Sequence, residues 1–566
     1  MLEIELFAVV GVIVIVLGSV FASRLGVAVP IIMVLLGTAG SFLPGMESFV
    51  VEPEIILAVV LPPILYGAAV NMPTTDFRRN FGSISALSVV LVLVSAFGAG
   101  ALIYLAFPNL SFASAVAVGA VISPPDAVAA TSIGKRLGLP PRLVTILEGE
   151  GLVNDATALV LLRSAIAAIG ASFSLWDAVV DFGYAVIVAI IIGIVVGAVT
   201  TWIRSKIGQV QLTTAVSFVV PFLAYLPAEE FGASGVLAVV AAGLVTGALA
   251  PRRLTAEDRI AERTNWRTIQ MLLENGVFLL MGLQLMSVIE GVEEAGLGVW
   301  GAVAIGAGAT IALILLRVAF MVPLVYWLRR SQAKHEGRID QYNRVLTKLD
   351  ELDRPEHPRP KRVQRALRQR VADANFYVNE GLDWRGGAVL AWSGMRGVVT
   401  LAAAQSLPVD LPYRPQLILI AFTVAIITLI AQGGTLPLLI QLLGIRGTPA
   451  EELERERGRL MRELAAATDD MLASSELRRP DGGEFDAELV RRLRERNERM
   501  LAVADDAAVP PQESEARQQV VELQRLIFTT EHAALQEARS SGTYRSSTIE
   551  YAQTRIDNGA MRLDGE

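Results

Sequence analysis

The sequence predicts an all-α polytopic membrane fold. It has about thirteen transmembrane helices in two inverted six-helix repeats with broken crossing helices, plus a cytoplasmic helical C-terminal region. Three observations predict it. The 566 residues are 53% hydrophobic with a mean hydropathy of +0.50, which soluble domains do not show. Apolar runs of about 18 residues or more recur from Met1 to about Arg446, each long enough to cross roughly 30 Å of hydrocarbon as a helix. Arginine and lysine alternate from one connecting loop to the next.

In chain order the spans fall at 4–22, 27–44, 54–72, 82–106, 113–133, 143–170, 176–203, 212–227, 234–250, 271–290, 299–328, 386–407 and 415–445. The first lacks a positive leading segment and a small-residue cleavage site, so it reads as a span rather than a signal peptide. Arg24, Arg78-Arg79, Lys135-Arg136 with Arg142, Arg204 with Lys206, Arg252-Arg253, Arg329-Arg330 and Arg446 share one side. Glu47, Glu52, Asp177, Glu229-Glu230, Glu290 and Glu293-Glu294 share the other. The positive-inside rule puts the basic side in the cytoplasm, the N-terminus outside and the C-terminus inside. The net charge of −7 reflects loops and tail. No basic tract argues for nucleic acid, and with no Cys there is no disulfide or thiolate chemistry.

Two regions are not membrane. Residues 331–385 are charged, and Pro355, Pro358 and Pro360 interrupt them, so a cytoplasmic helical hairpin is expected between spans eleven and twelve. The transmembrane domain is thus 1–446. Residues 447–566 form a Glu/Arg-rich helical tail, either a solvated appendage or a regulatory or dimer-stabilising domain. Leu460, Leu464, Leu489, Leu493, Val520, Leu523 and Leu526 recur there at helical spacing.

The charges inside apolar runs point to function, because an ionisable residue at membrane depth costs at least a few kcal/mol. Asp126, Glu150 and Asp155, with Arg396, fall at matching depth in different spans. Pro124-Pro125 before Asp126 removes backbone donors mid-membrane, which favours a broken helix. Ser393-Gly394-Met395-Arg396-Gly397 marks a second break, seven crossings later and so of opposite orientation. Half-helix ends present partial charges that hold ions.

Glu150 and Asp155 stand about 140° apart on their helix and should not share a partner. Glu150 is therefore assigned to a buried ion pair with Arg396. That leaves Asp155 to hold a proton or a metal cation. His335, His357 and His532 all lie outside the spans, so a buried carboxylate must carry the proton. Glu148 lies nearer an entrance. Arg163 reads as snorkelling, and Arg317 with Glu274 as a structural pair near the cytoplasmic ends.

At these residues the chain resembles bacterial sodium/proton antiporters of the cation:proton antiporter-1 family, relatives of the animal sodium/proton exchangers. The resemblance covers roughly residues 1–446. It is carried by Leu61-Pro62-Pro63-Ile64-Leu65-Tyr66, Ser123 to Ala130, Glu150 to Asp155 and Gly394-Met395-Arg396-Gly397. It implies a homodimer in a bacterial inner membrane, embedded in lipid. A six-helix core would move against a dimer domain, and no cofactor is expected. Asp155 would bind cation and proton, and Asp126 would neutralise the crossing half-helices and contact Asn154. Glu150 and Arg396 would form the structural pair. Asn154 stands where electrogenic relatives carry a second Asp, so one proton would trade for one cation.

Two positions depart from the family pattern. Pro125 replaces a frequent Thr, and Gly67 follows Tyr66 where relatives often carry an acid. Ser123, carbonyls freed by the prolines, or water would then complete the ligands, with Asp155 and Ser123 meeting the metal cation. Na⁺ is the first expectation, with K⁺ second and Li⁺ also considered. A passive cation channel and a transporter-derived receptor signalling through 447–566 are the alternative classes.

Overall fold

Backbone chemistry places most of the helix boundaries in the computed structural model. It describes residues 2–43, 52–169, 175–296, 298–351, 370–445 (apart from Ala372, Asn375 and Asn379), Gly447 and scattered residues from 451 to 495. The chain packs as two units, Met1–Gly447 and Thr448–Glu566. Nearly all of the expected tail, with His357 and His532, lies outside the described residues.

The helices are α1 (Leu2–Leu25), α2 (Val29–Ser41), α3 (Pro53–Asn71), α4 (Thr74–Ala106), α5 (Phe112–Ile122), α6 (Ala127–Arg136), α7 (Pro141–Ile169) and α8 (Leu175–Ile207). They continue as α9 (Val210–Glu230), α10 (Gly235–Arg253), α11 (Ala256–Leu283), α12 (Leu285–Glu294), α13 (Val299–Glu351), α14 (Trp384–Trp392), α15 (Val398–Gln405) and α16 (Arg414–Leu443). The fold is an all-helical membrane fold. Ten segments among the described residues are long and apolar enough to cross a membrane.

Caps fix several starts. Ser111 accepts from the Ser114 N–H at 3.1 Å and Asp383 from the Gly386 N–H at 2.8 Å. Thr255 and Asp258 form a reciprocal capping box at α11. In α3 a wide π turn at Ile56–Val60 precedes Pro62-Pro63, where donors are missing.

Burial ranks the helices. Only 22% of the most apolar stretch in Val179–Ile207 is buried, against 72% for Phe112–Arg136 and for Arg414–Leu443. So α8 turns most of its apolar surface outward, while α5, α6 and α16 form the centre. Glycine lets backbones touch where helices cross most closely. A β-carbon at Gly37 of α2 would strike the Leu279 carbonyl of α11, and one at Gly282 of α11 the Val34 carbonyl.

The 331–385 segment is described on both sides of its prolines. Residues 331–351 prolong α13, whereas the three prolines lie outside the described residues. Its later arm grips the membrane domain. Asp373 pairs with Arg79 at 2.7 Å, the Tyr377 hydroxyl donates to the Arg79 carbonyl, and Arg142 donates to the Glu380 carbonyl at 2.6 Å. Burial pushes the Tyr377 phenol above its ordinary value, against the pull of Arg142, so it keeps its proton and stays a donor. The arm therefore holds the first turn of α7, the helix that carries Glu150 and Asp155.

Candidate functional site

Two interruptions meet at the centre. Residues 123–126 are unwound between α5 and α6, and 393–397 between α14 and α15. The Asp126 N–H donates to the Met395 carbonyl at 2.5 Å, and Arg396 Nε donates to the Ile122 carbonyl at 3.0 Å. The freed backbone groups of each break are thus satisfied by the other, which is how broken helices persist in a bilayer.

Charge follows the half-helix ends. The Asp126 carboxylate accepts from the Val128 N–H at 2.7 Å, capping the positive end of α6. It also lies against Gly397, the residue that opens α15, so closely that a β-carbon there would collide with it. Arg396 does the converse. Its guanidinium donates to the Ile122 and Gly394 carbonyls, at the negative ends of α5 and α14. Its own N–H is held by Thr428 Oγ1 at 3.0 Å.

That commitment overturns the expected Glu150–Arg396 pair. Arg317 of α13 grips Glu150 with both nitrogens, at 2.6 and 2.8 Å, and all but 2–3% of each side chain is buried. Arg317 Nε also donates to the Leu390 carbonyl at 2.9 Å. Gly394 leaves room for the arginine stem. The expected Arg317–Glu274 pair falls with it. Glu274 instead accepts from Gln270 Nε2 at 2.6 Å. Arg163, expected to snorkel, pairs with Glu229 at 2.6 Å.

A cavity of about 410 Å³ reaches this centre. Lys135, Glu148, Arg267 and Asn71 line its basic end, and Asp126, Asp155, Glu274 and Thr400 its deep end. Lys135 and Glu148 pair at 2.6 Å there. The Asp155 side chain makes no hydrogen bond or ion pair among the described residues, and its carboxylate lines the cavity.

Of the other expected ion-site residues, Asn154 and Ser123 sit behind the wall. The Asn154 amide donates to the Pro125 carbonyl, one residue before Asp126, and its Oδ1 has no partner among the described residues. The Ser123 hydroxyl donates to the Ala120 carbonyl at 3.0 Å and does not line the cavity, so the expected Asp155–Ser123 ligand pair is not assembled. The preceding turn offered that hydroxyl an acceptor, a frequent choice for Ser in membrane helices.

A second cavity, of about 280 Å³, lies toward the acidic side and is lined by Glu54, Arg163, Tyr225, Glu229 and Ser406. Asp155 lines the first cavity and Leu159 the second. One helical turn, about 6 Å, separates them along α7. The arrangement leaves a carboxylate able to hold a cation or a proton beside the one helical turn that separates the two cavities.

Sequence reasoning does not single out Gln270, and it gives Glu274 and Arg317 only a structural pairing. Glu274 carried the same signal as Asp155, an acid inside an apolar run. Hydropathy sets it near a span end because the charged first turns of α11 fall outside the apolar run. That helix starts at Ala256, so Glu274 lies about 27 Å along it.

A family model described as sodium/hydrogen exchanger, transmembrane, matches residues 11–442. An uncharacterised Na⁺/H⁺ exchanger of Mycobacterium bovis is 28% identical over 435 residues, 75% of this chain and 72% of that protein. A sodium, potassium, lithium and rubidium/H⁺ antiporter of Bacillus pumilus is 28% identical over 433 residues, 73% of this chain and 58% of that protein. Among solved structures, a sodium proton antiporter of Methanocaldococcus jannaschii superposes with a TM-score of 0.56. It is 16% identical and covers 77% of this chain and 98% of its own, which speaks for the fold.

Proposed function

Since this chain belongs to the sodium/hydrogen exchanger family, we propose that it exchanges one monovalent cation for one proton at Asp155 by alternating access. It is a multi-pass membrane transporter of the cation/proton antiport class, not an enzyme. Na⁺ is the first candidate and K⁺ the second. The B. pumilus relative, whose name includes both with lithium and rubidium, supports keeping them together.

One observation carries the reading. A cavity of about 410 Å³ from the basic side ends on Asp155, an acid whose side chain has no protein partner among the described residues, and a second cavity begins one turn beyond it. A carboxylate buried this way should not stay empty and ionised, so it binds either a cation or a proton. Competition between the two couples their gradients. Asn154 places a neutral amide, not another acid, next to Asp155, and one exchanged charge for another moves no net charge.

Thirteen crossings, an outer N-terminus, a cytoplasmic C-terminus and a homodimer in a bacterial inner membrane complete the proposal. The loop charges support the orientation. The two mutually hydrogen-bonded breaks support a pair of inverted repeats. The cavity that holds Asp155 then opens inward. Asp126 and Arg396 keep the breaks electrostatically balanced, and Glu150 with Arg317 locks α7 to α13.

The test is radioactive sodium uptake into proteoliposomes with a set pH gradient and clamped voltage, wild type against Asp155→Asn. Uptake that follows the proton gradient, ignores voltage and vanishes in the variant is the expected result. Normal exchange by Asp155→Asn would remove Asp155 from the mechanism. If sodium fails in the wild type, rubidium as a potassium tracer replaces it.

A further inference from the structure

The cavity has a wall that the exchange at Asp155 does not use. Glu274 and Gln270 line it from α11. Depth can be compared along the two helices. Asp155 lies seven residues beyond Glu148, and Glu274 seven beyond Arg267, and Glu148 and Arg267 both stand at the basic end. Both acids are therefore about 10 Å in from the mouth. They approach from different supports, since α7 carries the acid that faces the breaks, whereas α11 packs chiefly on α2 and α3.

Gln270 is oriented through its amide nitrogen. Its Nε2 donates to Glu274 Oε1 at 2.6 Å. That leaves its Oε1 as an acceptor, 3.6 Å from where a β-carbon at Gly67 would stand. Such a β-carbon would also lie 3.2 Å from the Trp266 ring, so any larger residue at 67 would displace this corner. Gln270 and Glu274 both line the cavity, and a carboxylate with a neighbouring neutral amide is a donor set for a hard cation, whose size preference follows from the number and rigidity of such oxygens.

We propose that Gln270 and Glu274 form a second monovalent-cation station opposite Asp155, with the Gln270 amide oxygen as the specificity-determining ligand for which Gly67 makes room. The inference rests on the reading of the cavity as the cation path to Asp155. The station receives the ion leaving Asp155 toward the basic side, or hands it in. It returns to its starting state each cycle, so the net exchange stays one for one.

The experiment uses the full-length protein purified in detergent. A hydrophobic carbodiimide labels Glu274, and mass spectrometry reads the labelling with Na⁺, K⁺ or Li⁺ against choline. Expected is cation protection of Glu274 in the wild type and in Asp155→Asn alike, with Gln270→Leu needing about tenfold more cation for the same protection. In proteoliposomes Gln270→Leu should raise the apparent KM by about tenfold with little change in kcat and alter the Na⁺ to K⁺ ratio, while Gln270→Asn moves part of the way. Labelling that ignores the cations, Glu274 that takes no label, or protection unchanged in Gln270→Leu would each overturn the station. Exchange that survives Asp155→Asn while protection persists would sink the Asp155 reading and leave the station standing.

Discussion

Glu150 shows how a single side chain can be read correctly and partnered wrongly. Its burial and need for a cation were legible, because a lone carboxylate at membrane depth is costly. The choice of Arg396 followed from matching the depth of α-carbons. Helical side chains lean toward their own N-terminus, and α13 runs from the acidic side to the basic side. The long stem of Arg317 therefore carries its charge back toward the membrane centre, deeper than its α-carbon. Asp126 and Asp155 were legible for the same energetic reason. Removing one member of the Glu150–Arg317 pair should cost about 3–5 kcal/mol, because the other is left buried and unpaired. Glu150→Leu/Arg317→Leu should lose less than the sum of its single variants, read as thermal melting in detergent. The same cycle with Arg396 should show smaller coupling, since Arg396 is spent on carbonyls. Equal coupling for both arginines would return the pair to its first assignment.

Breaks and bends divided into those that announce themselves and those that do not. Pro124-Pro125 and the Ser393–Gly397 run announce breaks, because missing donors and missing side chains are visible in a string of letters. The π turn at Ile56–Val60 has no such letter, and neither does the continuation of α13 past the bilayer to Glu351. Hydropathy ends a span where polar residues begin, but helical hydrogen bonding does not stop there. Gly397 is the element-scale test. A β-carbon would drive into the Asp126 carboxylate, whereas at Gly434 it would meet nothing within 4 Å. Gly397→Ala should lower stability by about 1–3 kcal/mol, as overpacking does, and slow exchange. Gly434→Ala should leave melting and exchange near the wild type. If both behave alike, contact between the breaks does not matter for function.

At the scale of the molecule, orientation is the property with the plainest assay. The sequence has no cysteine, so any introduced thiol is the only one present. Ser132 lines the cavity on the basic side and Ser406 the one on the acidic side. A membrane-impermeant thiol reagent should modify Ser132→Cys only from the cytoplasm and Ser406→Cys only from outside. The reverse pattern would invert the topology drawn from the loop charges. Composition and loop charge revealed the membrane class and the sidedness to be tested. They could not reveal the cavities, because a cavity is set by which helix faces fail to meet, and periodicity in mostly apolar helices marks faces weakly.

The single turn of α7 between the two cavities has an electrical meaning. Elsewhere a membrane potential falls across about 30 Å of hydrocarbon. With water in both cavities it falls here across about 6 Å, a field roughly five times steeper. A cycle that is silent overall can still contain a step that is not. When Asp155 is carried across that septum, any momentary imbalance on it feels nearly the whole potential. A rapid concentration jump on a solid-supported membrane should therefore show a brief capacitive transient, even where steady exchange carries no current.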